Sequence, residues 1–139
     1  MSEKYNAERY CDPTAAAAIA NIENRKRKQL LLWPLVYICS PYRGDINQNV
    51  KKAQVYSRFA VEQQYVPLAP HLLFPQFVSE VTERRMALKM DSAVLLRCDE
   101  VWVFGDEITG GMASDIRLAK AAGKPVHYFA SDLREVIGK

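Results

Sequence analysis

The sequence predicts an α/β fold: a three-layer sandwich around a mostly parallel sheet of four to five strands, preceded by a helical N-terminal extension. Three observations carry this expectation. Short apolar runs rich in β-branched and aromatic residues recur near residues 35, 65, 101 and 125, the pattern of strands buried on both faces. Segments with helical spacing alternate with them, which argues for parallel pairing through crossovers. A length of 139 residues with 49% apolar side chains suits one domain that buries a core without disulfide or metal staples.

Taken in order, residues 1–32 are rich in Ala, Glu, Lys and Arg, and Asp12-Pro13-Thr14 is a helix-start signal ahead of Ala15 to Leu32. This is a helical extension, and residues 33–139 form the α/β domain. Leu35 to Cys39 is the first strand and ends at Ser40-Pro41-Tyr42-Arg43-Gly44-Asp45. Ile46 to Gln64 is a helix capped by Asp45, with Val50, Ala53, Ser57 and Ala60 on one stripe. Tyr65 to Ala69 is a second strand, pushed toward an edge by Pro67, and His71 to Phe77 is a loop. Glu80 to Arg97 has helical length, with Met86, Met90, Ala93 and Arg97 marking its apolar side and Val94 widening it. Val101 to Phe104 is the third strand, Met112 to Ala122 a helix closed by Gly123, Pro125 to Phe129 the fourth strand, and Ser131 a cap for a short last helix.

The net charge of +3, from 19 Lys plus Arg against 16 Asp plus Glu, is too mild for a nucleic-acid signature, and Arg25 to Lys28 supplies part of it on what reads as a solvated helix face. No nucleic-acid partner is expected. The longest apolar runs are too short to span a bilayer, so a soluble protein is expected. Three cysteines, Cys11, Cys39 and Cys98, form no CxxC pair and accompany no secretory signal, which fits a reducing cytoplasm. The two histidines, His71 and His127, lie on different predicted elements, so no metal site of the usual spacing is expected.

In a Rossmann- or flavodoxin-like sheet ligands bind beyond the carboxyl ends of the strands, so the loops at 40–45, 70–77 and 105–111 should share one rim. On that rim Ser40, Arg43 and Gly44 suit an anion such as phosphate at a helix start, and Tyr42 can stack on a base or cover a sugar. A tight turn with a surface arginine is the competing reading. Asp115 follows Gly110-Gly111 early in a helix, where the dipole favours an ionised carboxylate, equally useful as a nucleophile or for helix stability alone. His71 can donate to a ligand or move a proton. Asp91, inside a helix, is expected to face solvent, and Asp99 to end that helix. Cys39 reads as a small core residue.

Val36 to Gly44, the Asp91-x7-Asp99 spacing, and Gly111-Met112-Ala113-Ser114-Asp115 followed by Ala119 and Gly123-Lys124-Pro125-Val126 together resemble the nucleoside 2-deoxyribosyltransferase-like superfamily over about residues 35 to 129. The overall likeness is greatest to its uncharacterised bacterial and phage domains. The catalytic members attack C1' of the deoxyribose with a glutamate ending a G-x-G-x-E stretch; Asp115 stands there, with Ala113 at the second glycine and Thr109 six positions before it. The resemblance implies Asp115 as nucleophile, Asp91 near the base, and the Ser40 to Gly44 loop near the sugar or a 5'-phosphate. Breaking an N-glycosidic bond needs a carboxylate at the sugar and a proton donor to the leaving base. Asp115 supplies the first; Asp91, His71 or Glu107 the second, with Asp91 favoured by the family pattern. Gly111 and Met112 complete the expected substrate-binding set.

The expected activity is therefore hydrolysis or transfer of the N-glycosidic bond of a nucleoside or nucleoside 5'-monophosphate, without cofactor or metal. A non-catalytic nucleotide-binding or sensing module of the same fold is the alternative, and docking of residues 1–32 on a partner a third. Relatives commonly form dimers, which implies a homodimer or higher homo-oligomer here.

Overall fold

The computed structural model describes residues 13–137, and contacts divide the chain into two compact units, residues 1–33 and 34–139. In the first unit, helix α1 (Pro13–Leu31) begins at a proline, whose fixed φ and missing N–H suit the first helical position. Arg25, Lys26, Arg27 and Lys28 are exposed along it. The expected cap Asp12, Cys11 and the rest of the extension before Pro13 lie outside the described residues. Among the described residues no helix is long and apolar enough to cross a membrane.

The second unit runs β1 (Leu35–Cys39), α2 (Ile46–Glu62), β2 (Val66–Leu68), a single turn α3 (Pro70–Leu73), a 3₁₀ turn (Phe74–Gln76), α4 (Arg84–Arg97), β3 (Glu100–Phe104), α5 (Gly110–Ala121), β4 (Val126–Phe129) and β5 (Glu135–Val136). The sheet order is β2-β1-β3-β4-β5. Strands β1 to β4 are parallel and β5 is antiparallel to β4. This is the flavodoxin-like order, in which strand succession reverses between β1 and β3 and opens a crevice at their carboxyl ends.

Alternation along the strands feeds two cores. Tyr37, Cys39, Val101 and Val103 pack with Leu95 and Cys98 at the end of α4 and with Met112, Ile116 and Ala119 of α5. Val36, Ile38, Trp102, Phe104 and Phe129 pack with Tyr56 and Ala60 of α2, where the Tyr56 and Phe104 rings stack at 4.4 Å. Fully burying each large apolar side chain contributes about 1.5–3 kcal/mol, which is why β1 and β3 read as continuous apolar runs. His127 bridges Glu100 at 3.5 Å and Glu135 at 2.9 Å, and Glu100 also accepts from Tyr65 and Trp102, so this histidine belongs to the scaffold.

Several expectations are corrected. The segment expected as a loop at 71–77 holds α3 and the 3₁₀ turn, and the helix expected from Glu80 starts at Arg84. Ser79 causes the delay: its hydroxyl accepts from Val81 and Thr82 N–H while its own N–H donates to Glu83, closing a local turn that competes with the helix. The buried stripe of α4 is Ala87, Asp91 and Leu95, whereas Met86, Ala93 and Arg97 are exposed. Among the described residues no helix follows Ser131; Leu133 takes φ +72° and the chain returns as β5. Helix α5 begins two residues before Met112, because Thr109 caps it by accepting from Met112 N–H.

Asp99 does more than end α4. Its carboxylate accepts from Leu35 N–H at 2.8 Å and its own N–H donates to Leu35 O at 2.8 Å, clamping the start of β1 to the α4–β3 junction. Asp99→Ala is expected to cost about 0.5–1.5 kcal/mol by removing this exposed hydrogen bond, for which water is only a partial substitute. Urea unfolding would record it as a lower midpoint at an unchanged slope.

Candidate active site

A cleft of about 290 Å³ opens where strand succession reverses, near the lower end of the range for small-molecule sites. The loop after β1 supplies Ser40, Tyr42 and Arg43, α3 supplies His71, and the start of α5 supplies Thr109, Gly110, Gly111, Met112 and Asp115. Helix α4 and the turn before it supply Glu80, Arg84, Leu88 and Asp91. The structure therefore brings together Asp115, Asp91, Ser40, Tyr42, Arg43, His71, Gly111 and Met112. Gly44 and Glu107 are not in the lining; Gly44, at φ +98°, instead turns the β1–α2 loop through a conformation that favours glycine.

That loop is held by Asn49, whose side-chain amide donates to Tyr42 O and Arg43 O at 3.0 Å each. Asp45 caps α2 by accepting from Gln48 N–H at 3.2 Å. Across the cleft, Gly110 and Gly111 have no positive φ, and a Cβ on either would meet no atom within 4 Å. Neither backbone conformation nor packing demands glycine there. Their effect is to leave the positive end of α5 open to close approach from the cleft.

Asp115 lies in the second turn of α5, beside buried Met112 and Ile116. Its carboxylate accepts from Tyr37 Oη at 3.1 Å, and Tyr37 projects from the middle of β1, 1% exposed. Burial raises the Asp115 carboxyl to about 6, and the tyrosine hydrogen bond pulls it back. The Tyr37 hydroxyl is pushed strongly upward, first by burial and then by Asp115, so it remains a donor. Asp91, expected on the solvent side, is 7% exposed on the inward stripe of α4. Burial lifts its carboxyl to about 7, reinforced by the charges of Asp115 and Glu80 and partly offset by Arg84. Both carboxyls are thus raised toward neutral pH, and the Tyr37 hydrogen bond favours the charge on Asp115.

His71 stacks on Tyr42 with ring centroids 4.7 Å apart and planes at 19°. Burial lowers its pKa, partly countered by Glu80, so the ring is neutral near pH 7. Cys39 is a buried thiol that burial pushes upward. Among the described residues no group of three His, Cys, Asp or Glu side chains is placed to hold a metal ion.

Sequence reasoning did not single out Tyr37, Glu80, Arg84 or Leu88. A phenol in a strand buried on both faces needs a hydrogen-bond partner, and that need was the available signal for Tyr37. Glu80 and Arg84 carried no signal of their own.

A family described as a domain of unknown function (DUF7768) matches residues 34–129. Among solved structures, a 2-deoxyribosyltransferase from the psychrotolerant bacterium Bacillus psychrosaccharolyticus is similar, with a TM-score of 0.52 and 23% identity over 75% of this chain and 77% of that one. The similarity is one of fold. No curated protein matches the chain.

Proposed function

The chain belongs to the DUF7768 family, whose description assigns no reaction, and from the cleft itself we propose that it cleaves or transfers the N-glycosidic bond of a nucleoside or nucleoside 5'-monophosphate. The observation that carries this reading is the pair of buried cleft carboxyls, Asp115 and Asp91, both raised toward neutral pH by burial, with Tyr37 Oη donating to Asp115 and so favouring it as the member that carries the charge. Paired carboxyls, one charged and one protonated, are what acid-assisted glycosidic cleavage requires. The fold shared with a 2-deoxyribosyltransferase supports the substrate class.

In this mechanism a carboxylate oxygen of Asp115 attacks C1' of the sugar. The C1'–N bond breaks, its electron pair passes into the base, and the Asp91 carboxyl proton is taken by an acceptor atom of the base, a ring nitrogen or carbonyl oxygen, so that the base leaves neutral. Water or an acceptor base then attacks C1' of the glycosyl ester, Asp91 takes its proton, and Asp115 leaves as carboxylate. Tyr37 steadies Asp115 throughout. Arg43, an exposed guanidinium at the rim, suits a 5'-phosphate.

The test is a panel of ribo- and deoxynucleosides and their 5'-monophosphates, with and without an acceptor base, followed by chromatography of free base. Released or exchanged base supports the reading. A ligand that raises the melting temperature without base release would give the cleft to the binding-module reading instead. Tyr37→Phe is expected to lower kcat about 10–100-fold, as loss of a hydrogen bond to a reacting charge does. Since that bond lowers the Asp115 pKa, the acidic limb of the pH–rate profile should move to higher pH, a change that a loss of folded protein does not produce.

A further inference from the structure

We infer that Glu80 selects an amino-bearing base, of the adenine or cytosine type, over its oxo counterpart by accepting a hydrogen bond from the exocyclic amino group. The inference rests on the nucleoside reading above and names its substrate class.

Glu80 lines the cleft from the turn before α4, with a side chain 17% exposed. Among the described residues its carboxylate has no hydrogen-bond donor; its one close partner is His71 Nδ1 at 3.8 Å, beyond hydrogen-bond range. A carboxylate only accepts, so the Glu80 oxygens, open to the cleft, can be paired only by water or by a ligand that donates. A ligand that enters the cleft and displaces that water must bring N–H groups to Glu80, or leave the carboxylate unpaired.

Position assigns Glu80 to the leaving-group end. It stands 3.8 Å from His71 Nδ1 and lines the same cleft as Asp91 and Tyr42, Asp91 being the proposed proton donor to the base. Tyr42 and His71 form a flat stacked wall there, suited to the face of a heterocycle. His71 adds no charge to counter Glu80, because burial keeps the ring neutral, and its Nδ1 is buried without a hydrogen-bond partner among the described residues.

A base at this end therefore meets a donor at Asp91 and an acceptor at Glu80. Adenine carries the complement on one edge, a ring-nitrogen acceptor beside an amino donor. Cytosine carries an acceptor oxygen and an amino group. Replacing amino by oxo sets lone pairs against the Glu80 carboxylate, and sites built to hydrogen-bond a ligand group discriminate strongly against its absence. The opposing group is Arg84, whose guanidinium in the same cleft would favour an oxo base.

The experiment measures binding, apart from turnover, by titration calorimetry on full-length Asp115→Asn protein. The ligands are the paired 5'-monophosphates of deoxyadenosine and deoxyinosine, and of deoxycytidine and deoxyuridine. The expected result is that the amino member of at least one pair binds about tenfold or more tightly, and that adding Glu80→Gln shrinks this gap while the oxo member binds no worse. Equal affinity, an oxo preference, no binding by any of the four, or an amino preference undiminished in Glu80→Gln would overturn the assignment. Turnover of the same ligands by the unsubstituted protein tests the glycosidic reading separately: amino-selective binding without base release sinks that reading and leaves Glu80 as the selector.

Discussion

Asp115→Asn is expected to reduce base release at least a thousandfold while leaving the fold in place. Asparagine keeps the size of the side chain and can still accept from Tyr37 Oη, so the contact now measured at 3.1 Å has a substitute. What it removes is the negative oxygen that would bond to C1', and an amide is no nucleophile toward an oxocarbenium-like centre. Removal of a covalent nucleophile commonly costs several orders of magnitude in kcat. The check is release of free base by variant and parent at equal concentration, beside thermal melts of both. A variant retaining more than a tenth of the parental rate would exclude Asp115 from the reaction.

The second large effect is on pH. The proposed reaction requires Asp115 ionised and Asp91 protonated, and burial raises the two carboxyls to about 6 and about 7 respectively. kcat/KM should follow a bell with its maximum between about pH 6 and 7, falling about tenfold per unit on either side. The limbs belong to the coupled pair rather than to either residue alone. Stability should follow in one direction only. Both carboxyls have folded-state values above the value near 4 of an unfolded aspartate, so the folded chain holds their protons more tightly. Their contribution is complete below about pH 4 and is lost as pH rises through about 6 and 7. Thermal melts at pH 5 and pH 8 should show the loss, and Asp115→Asn should make it smaller. A melting temperature that rises from pH 5 to pH 8 by the same amount in both proteins would contradict the burial of these carboxyls.

The parts of the chain that were legible in the sequence are those where local chemistry and burial agree. Val36 to Cys39 and Val101 to Phe104 are apolar on both faces because both faces are covered, so no other element competes for that pattern. In the loop after β1 the cap Asp45 was equally readable, whereas Gly44, expected beside the ligand, lies outside the cleft lining and supplies a positive φ to the turn. Helix α4 was misregistered because the centre of its buried stripe is Asp91, flanked by Ala87 and Leu95. A carboxylate at a core position erases the apolar period that sequence reasoning follows, and shifts attention to exposed Met86 and Ala93. The residue proposed as the acid is thus the one that hid the helix face. Glu80 was obscured differently, by a Ser79 turn inside what spacing alone reads as continuous helix.

The two borders of the sheet differ in kind but share a property. At one border β2 has three residues and Pro67 at its centre, which offers no N–H to a neighbouring strand. At the other, β5 has two residues and reverses direction, with Glu135 engaged by His127. Short, proline-bearing or charged borders resist templating of further strands. Any assembly of this domain with copies of itself is therefore steered to helix and loop surfaces, and cross-β growth from the native state is disfavoured at both ends.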